Sequence, residues 1–234
     1  MSFKILKTAT KSHARTGVME TAHGKIMTPV FMPCATHGAI KGLSPDDLET
    51  LGAQIILGNT YHSYLRPGDD LIKKQGGLHG VMKWDTPILT DSGGYQAFSL
   101  GTKSGEKFAK TTDRGVEFRS HLDGSKHLFT PEKVIDIQMN LGSDIMMVLD
   151  ECAPYPCSEK DAEKALERTT KWATQSLDAF QVKSKKSKVK SGGVALRPLL
   201  FGIVQGSTPK ILRERSAKEI ASMDFDGIAI GGVS

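Results

Sequence analysis

The stretch Leu199-Leu200-Phe201-Gly202-Ile203-Val204-Gln205-Gly206 decides how the rest of the chain is read. An unbroken apolar run ends abruptly in an amide and a glycine. A strand with one wet face alternates apolar and polar residues, whereas a continuous run belongs to a strand buried on both faces, as in a parallel sheet. Five more stretches have the same form. Gly227-Ile228-Ala229-Ile230 ends at Gly231-Gly232, and Asp144-Ile145-Met146-Met147-Val148-Leu149 ends at Asp150-Glu151. Pro87-Ile88-Leu89-Thr90 ends at Asp91-Ser92-Gly93-Gly94, and Gln54-Ile55-Ile56-Leu57 ends at Gly58-Asn59-Thr60. Pro29-Val30-Phe31-Met32-Pro33 ends at Cys34-Ala35-Thr36.

Helix-start signals fall between most of these runs. Ser44-Pro45-x-Asp47 offers an N-cap, a proline in the first turn and an acid to meet the helix dipole. Thr130-Pro131-Glu132 does the same ahead of Val134, Ile137 and Leu141 at helical spacing. Ser158-x-x-Asp161 resembles a capping box opening a helix to about Phe180, and Thr208-Pro209 opens another to about Met223. Strand and helix in alternation specify an α/β fold. Two regions depart from the alternation. The first 28 residues read as a β-hairpin or lid with turns at Thr16-Gly17 and His23-Gly24, and residues 98–129 read as a β-containing insertion after the third strand. Six buried strands fit a doubly wound sheet or part of an eight-stranded barrel. The last strand reaches Ser234 with no helix after it, so the chain is expected to stop short of a complete sheet.

A chain of 234 residues, 38% hydrophobic and 24% charged, has the composition of a globular domain rather than a disordered one. No run approaches the roughly 20 apolar residues of a membrane helix, and Met1-Ser2-Phe3-Lys4 does not open a signal peptide. A cytoplasmic location without membrane contact is therefore expected. Three cysteines, Cys34, Cys152 and Cys157, are too few and too irregularly spaced for a disulfide framework or a usual zinc motif. Much of the net charge of +5 sits in the lysine-rich stretch 183–190, read as a solvated loop.

In α/β folds ligands bind at the carboxyl ends of parallel strands. Those ends carry Asn59, Thr60, Asp91, Ser92, Asp150, Gln205 and Gly232. Two carboxylates, two amides, two hydroxyls and glycines suit a planar polar heterocycle better than a phosphate, and no histidine–cysteine cluster there offers a metal site. Singly, each has a plainer role: Asp91 as a helix cap, Asp150 as a solvated loop acid, Gln205 as a backbone partner, Tyr95 as a rim aromatic, Cys152 as a small packed hydrophobe.

Taken as motifs, these residues carry a resemblance. Gly58-Asn59-Thr60-Tyr61-His62-x-x-Leu65-Arg66-Pro67-Gly68, Asp91-Ser92-Gly93-Gly94-Tyr95-Gln96, Asp150-Glu151-Cys152-x-Pro154-Tyr155-Pro156 and Phe201-Gly202-Ile203-Val204-Gln205-Gly206 resemble the tRNA-guanine transglycosylase family, in the same order and along most of the chain. The resemblance implies an incomplete (β/α)8 TIM barrel of about six strands, residues 1–234 being the N-terminal portion of one catalytic domain. It implies exchange of guanine at the tRNA wobble position for 7-aminomethyl-7-deazaguanine (preQ1), since Asp150-Glu151-Cys152 is similar to bacterial members. Asp91 then matches the general acid/base, oriented by Asn59 and Thr60. Ser92, Gly93, Gly94, Tyr95, Asp150, Cys152, Gln205 and Gly232 match the base pocket, with Asp150 accepting from the base's N–H edge, Gln205 and the Gly232 N–H donating toward its carbonyl, Tyr95 stacking and Cys152 lining the wall.

The implied partners are tRNA and guanine or its 7-deaza analogue, with a homodimer for full-length members. The family's nucleophilic aspartate and its structural zinc ligands (three cysteines and a histidine) lie past Ser234, so no cofactor is expected in this chain and no turnover from it alone. Two other readings stay open: a non-catalytic base- or tRNA-binding fragment or half of a split enzyme, and a phosphate-binding sugar-phosphate enzyme resting on Gly231-Gly232.

Overall fold

In a computed structural model of the chain five of the six apolar runs join in one parallel sheet, and the first, residues 29–33, leads into its remaining strand at Cys34–Ala35. Residues 3–233 are described, except 101, 104, 105, 108, 186–188, 192 and 193. The chain opens with β1 (Phe3–Thr8), β2 (Arg15–Thr21) and β3 (Gly24–Thr28), followed by β4 (Cys34–Ala35), α1 (Pro45–Thr50) and β5 (Ile56–Gly58). Three short helices, α2 (Thr60–Leu65), α3 (Asp69–Lys74) and α4 (Gly77–Met82), lead to β6 (Ile88–Thr90) and α5 (Gly94–Ser99). The insertion holds β7 (Thr102–Lys103), β8 (Glu106–Lys107), β9 (Ala109–Thr112), β10 (Gly115–Arg119) and β11 (Lys126–Phe129). Then come α6 (Pro131–Leu141), β12 (Ile145–Met147), α7 (Glu159–Ser184), β13 (Val189–Ser191), β14 (Val194–Leu196), β15 (Leu199–Val204), α8 (Lys210–Ala221) and β16 (Gly227–Ile230).

The parallel sheet runs β4-β5-β6-β12-β15-β16, in chain order throughout. It lacks the reversal of order that defines a doubly wound sheet. Its first strand lies after the run expected to form it: residues 29–33 are outside the strand, and pairing with β5 is made by Cys34 and Ala35.

Both faces of the sheet are covered over its middle strands, which are apolar without alternation; the edge strand β16, expected to be buried, instead leaves Ile228 and Ile230 exposed. Leu57, Leu89, Ile145, Met147, Leu199 and Phe201 gather on one side around Ile26 and Met19 from the N-terminal strands. Ile56 and Ile88 pack on the other side with Leu78, Trp84, Leu141 and Trp172, while Met146 and Leu200 pack with Ala173, Phe180 and Ile220.

Most helix starts lie where the local chemistry puts them. Ser44 and Asp47 form a reciprocal capping box, and Thr130 and Ser158 accept from the backbone N–H groups of Lys133 and Asp161. At α8 the structure corrects the expectation, since Pro209 is the cap and Thr208 makes no capping bond. The N-terminal region is a three-stranded antiparallel sheet, one strand more than a hairpin. Thr16-Gly17 is no turn but lies within β2, where the Phe3 ring fills the space a Cβ at Gly17 would need. The turn at His23 is present, between the paired Thr21 and Gly24. The insertion after the third parallel strand contains the antiparallel sheet β9-β10-β11, with Asp123-Gly124 at its expected turn. The lysine-rich stretch is only partly a loop: Lys183 lies in the last turn of α7 and pairs with Asp136 at 2.5 Å, Val189–Ser191 pairs with Val194–Leu196, and residues 186–188 lie outside the described residues.

Buried polar side chains fix the ends of the central strands. Gln138, on α6 and fully buried, accepts from the Met147 N–H and donates to the Met147 carbonyl, both at 2.9 Å. It also accepts from the Thr90 hydroxyl at 2.9 Å, so one amide ties the last residues of β6 and β12 to the helix that crosses between them. Replacing it by leucine leaves both main-chain groups of Met147 unpaired in a dry interior, at a cost of roughly 2–4 kcal/mol. Chemical denaturation should therefore show a large loss of stability for Gln138→Leu; a midpoint equal to wild type contradicts this role.

Candidate active site

At the carboxyl ends of β6, β12 and β15, backbone order brings three polar groups together. Ser92 donates to Asp150 Oδ1 at 3.0 Å, and the Gln205 amide donates to Asp150 Oδ2 at 2.7 Å. Side chains following three adjacent strands thus converge on one carboxylate. The Gln205 amide orientation follows from chemistry, since its oxygen in place of its nitrogen would face an anion. One N–H of that amide remains, and its buried Oε1 has no hydrogen-bond partner. Burial pushes the Asp150 carboxyl above its ordinary range, opposed by the bonds from Gln205 and Ser92.

Asp91 is held by the next loop over. Its Oδ2 accepts from the Asn59 amide at 2.6 Å and its Oδ1 from the Thr60 N–H at 2.9 Å. The Thr60 hydroxyl donates to the Asp91 carbonyl at 2.5 Å. Asn59 serves twice: its Oδ1 caps α2 by accepting from the His62 N–H, and its nitrogen fixes the carboxylate. The plain reading of Asp91 as a helix cap is corrected here, because Gly93 is the cap of α5, without a side-chain bond, and Asp91 faces back toward β5. Desolvation pushes the Asp91 pKa up to about 6, the N–H groups of Thr60 and Gly93 oppose it, and the nearby Asp150 adds to it.

Both carboxylates line one open pocket of about 240 Å³, together with Ser92, Gly93, Tyr95, Cys152 and Gln205, the apolar Met147, Ile203 and Ala229, and Gly231-Gly232. That is below the roughly 300–1,000 Å³ of sites for drug-sized ligands and suits a single heterocycle. Gly93 has φ 73° and lies where a side chain would strike the Tyr61 backbone, and Gly232, with φ 67°, lies against Gln205 Oε1. Gly94 packs on the Asp150 carbonyl, and its N–H donates to the Ser92 hydroxyl. Tyr95, at the rim, is 56% exposed and also lines a neighbouring cleft of about 520 Å³ with Phe98, Cys152 and Tyr155. Cys152 is half-buried; burial and the adjacent Asp150 raise its thiol pKa, which disfavours the thiolate a nucleophile requires.

Asp91, Ser92, Gly93, Tyr95, Asp150, Cys152, Gln205 and Gly232 line this mouth, whereas Asn59 and Thr60 reach it through Asp91 and Gly94 packs behind it on the Asp150 carbonyl. The sequence reading missed the residues that steady it. Arg213, on α8, donates to the carbonyls of Gly231 at 2.8 Å and Val204 at 3.3 Å and so holds the glycine turn. Arg168, on α7, pairs with Glu151, whose N–H donates to the Thr169 hydroxyl at 3.0 Å. Arginines on helix surfaces give no local signal of a partner this remote in sequence. The three cysteines do not assemble a metal site: among the described residues the one group of potential ligands is His23, His79 and Asp144, which includes none of them. No helix among those residues is long and apolar enough to cross a membrane.

The class the structure defines is a parallel α/β protein with two carboxylates gathered in a polar pocket at its strand ends. Comparison with known proteins makes that class specific. The family model described as Queuine tRNA-ribosyltransferase matches residues 10–234. Relatives bearing that name are 56% identical over 226 residues in Oleidesulfovibrio alaskensis (97% of this chain, 56% of that protein) and 52% over 232 residues in Desulforudis audaxviator (99% and 58%). A third, from Ruminiclostridium cellulolyticum, is 51% identical over 234 residues (100% and 58%). The chain belongs to the queuine tRNA-ribosyltransferase family, and it spans 56–58% of the length of these relatives.

The buried charge has a consequence for stability. Folded Asp91 keeps its proton up to about pH 6, whereas the unfolded chain releases it near 3.8. Wild-type stability should therefore fall as pH rises through that window and stay lowered above it. Asp91→Asn lacks this term and should gain on wild type by up to about 3 kcal/mol at neutral pH. Thermal melts at pH 4.5 and 7.5 measure the difference; a gap that does not widen with pH contradicts the raised pKa.

Proposed function

We propose that this chain forms the base-exchange pocket of a bacterial-type tRNA-guanine transglycosylase, acting on guanine at the anticodon wobble position and on 7-aminomethyl-7-deazaguanine. The observation that carries the reading is the Asp150 carboxylate fixed from both sides by Ser92 and Gln205 within a cavity of single-base size. A guanine edge presents the ring N1–H and an exocyclic amine side by side, and an ionised carboxylate with lone pairs to spare accepts from both. The remaining Gln205 N–H and the Gly232 N–H would meet the carbonyl oxygen. Tyr95 would stack on the ring, a platform that a wobble nucleotide needs once flipped out of its own stack.

Asp91 supplies proton transfer on this reading. A pKa of about 6 leaves the group mostly ionised near neutrality yet able to carry a proton. It would protonate the departing guanine and take the proton from the incoming base, while Asn59 and Thr60 hold it in place. The covalent nucleophile toward the ribose is assigned to none of the described residues. The unreversed strand order supports a barrel rather than a doubly wound sheet, with residues 1–234 as the N-terminal portion of one such domain and tRNA as the macromolecular partner.

Isothermal titration of the chain with guanine tests the reading. Wild type should bind, and Asp150→Asn, which turns an acceptor into a partial donor, should weaken binding roughly 10- to 100-fold, the loss expected when a charged hydrogen bond is removed. Equal affinities contradict it. Inorganic phosphate is the control for the phosphate-binding alternative: binding of phosphate that Asp150→Asn leaves unchanged favours that class instead.

A further inference from the structure

The opposite end of the sheet carries a second cluster, which the base pocket does not use. His23 sits on the turn between β2 and β3, His79 on α4, and Asp144 immediately before β12. Three parts of the chain remote in sequence place one donor each in a small volume, and all three donors lie within 4.8 Å of one another. His23 Nδ1 is 2.8 Å from Asp144 Oδ1, and His79 Nε2 is 3.2 Å from Oδ2.

We propose that His23, His79 and Asp144 bind one divalent transition-metal ion, of which zinc is the best match, as a structural site beneath the sheet. The strongest indication is His79. Its side chain is 9% exposed, and its Nε2 faces the Asp144 carboxylate at 3.2 Å as an ion pair without a well-formed hydrogen bond. A buried imidazole nitrogen whose one facing group is a carboxylate shared with a second imidazole is placed as a ligand would be. The two imidazoles stack with centroids 3.6 Å apart at 20°, and each turns a nitrogen toward the same carboxylate.

Two imidazole nitrogens and one carboxylate oxygen form a donor set that zinc accepts at about 2.0–2.2 Å, with water able to complete the tetrahedron. Imidazole ligands favour zinc or its neighbours over magnesium or calcium. The carboxylate is already oriented by N–H groups that are not themselves ligands: His23 N–H donates to Oδ1 at 3.2 Å and Ile88 N–H to Oδ2 at 2.9 Å. Such outer bonds fix the direction of a metal-binding carboxylate. The cluster also lies where strands begin, since the Asp144 main chain bonds to Ile88 and Leu199, the first residues of β6 and β15. In parallel α/β folds that end serves stability rather than chemistry. An ion there would pin the N-terminal sheet and α4 to the floor of the parallel sheet, and this role is independent of any ligand at the Asp91–Asp150 pocket.

The test uses the chain stripped of metal with chelator and then titrated with Zn2+ and, separately, Co2+. Wild type should take up one equivalent more Zn2+ than His23→Ala and should melt at higher temperature when Zn2+ is added, a response absent from His23→Ala. Co2+ should give visible ligand-field bands without the intense thiolate band that the cysteines would produce. His23→Cys, in which a different ligand replaces the lost one, should recover Zn2+ uptake and acquire that thiolate band, which keeps the test decisive if the alanine variant folds poorly. Equal Zn2+ uptake by wild type and His23→Ala, or no Zn2+ effect on the wild-type melt, overturns the proposal.

Discussion

The arrangement of the site depends on one carboxylate held between two neighbours. Asp150 follows β12, the Ser92 hydroxyl grips one of its oxygens and the Gln205 amide the other. These partners follow the strands on either side of β12 in the sheet. The bonds therefore cross the sheet at its carboxyl end and set the spacing of three loops at once. Charge-assisted hydrogen bonds of this kind are stronger than neutral ones, and they also keep a buried acid able to ionise against the pull of desolvation. Asp91, beside Ser92 at the end of β6, has its own donors in Asn59 and Thr60, so the two acids share a pocket while answering to separate supports.

Much of this could be read from the amino acids alone, for a physical reason. A strand buried on both faces must be apolar throughout, so its end is marked wherever polarity resumes. Asp91, Asp150 and Gln205 stand at those marks, and a parallel sheet brings such ends to one mouth. Helix starts at Ser44, Thr130 and Ser158 were legible because capping is local chemistry between residues three apart. Thr16-Gly17 misled for the same reason in reverse. The pair has turn composition, but Gly17 is there to admit the Phe3 ring across the sheet, a contact that no local window contains.

The supporting residues were illegible because their partners are far away in sequence. Gln138 sits mid-helix and acts like a strand neighbour of Met147. Arg213 looks like an ordinary helix-surface charge until the Gly231 carbonyl arrives beside it. His23 reads as a turn residue, and nothing near it announces His79 or Asp144. Burial of Asp144 at 3% exposure is likewise a tertiary fact. Residues 10–234 match one family model, yet membership in that family does not explain why a given amide or guanidinium is needed. The hydrogen-bond geometry does.

The two ends of the sheet thus have different work. The starts of the strands are tied together by Asp144 and its histidines, and the ends are left open around two acids on an apolar floor. A crystal structure of the chain soaked with guanine tests the account most directly. The base should lie flat against Tyr95, with its N1–H and exocyclic amine on Asp150 and Asp91 beside its imidazole ring. A base bound away from Asp150, or held there by its carbonyl edge, would contradict the account.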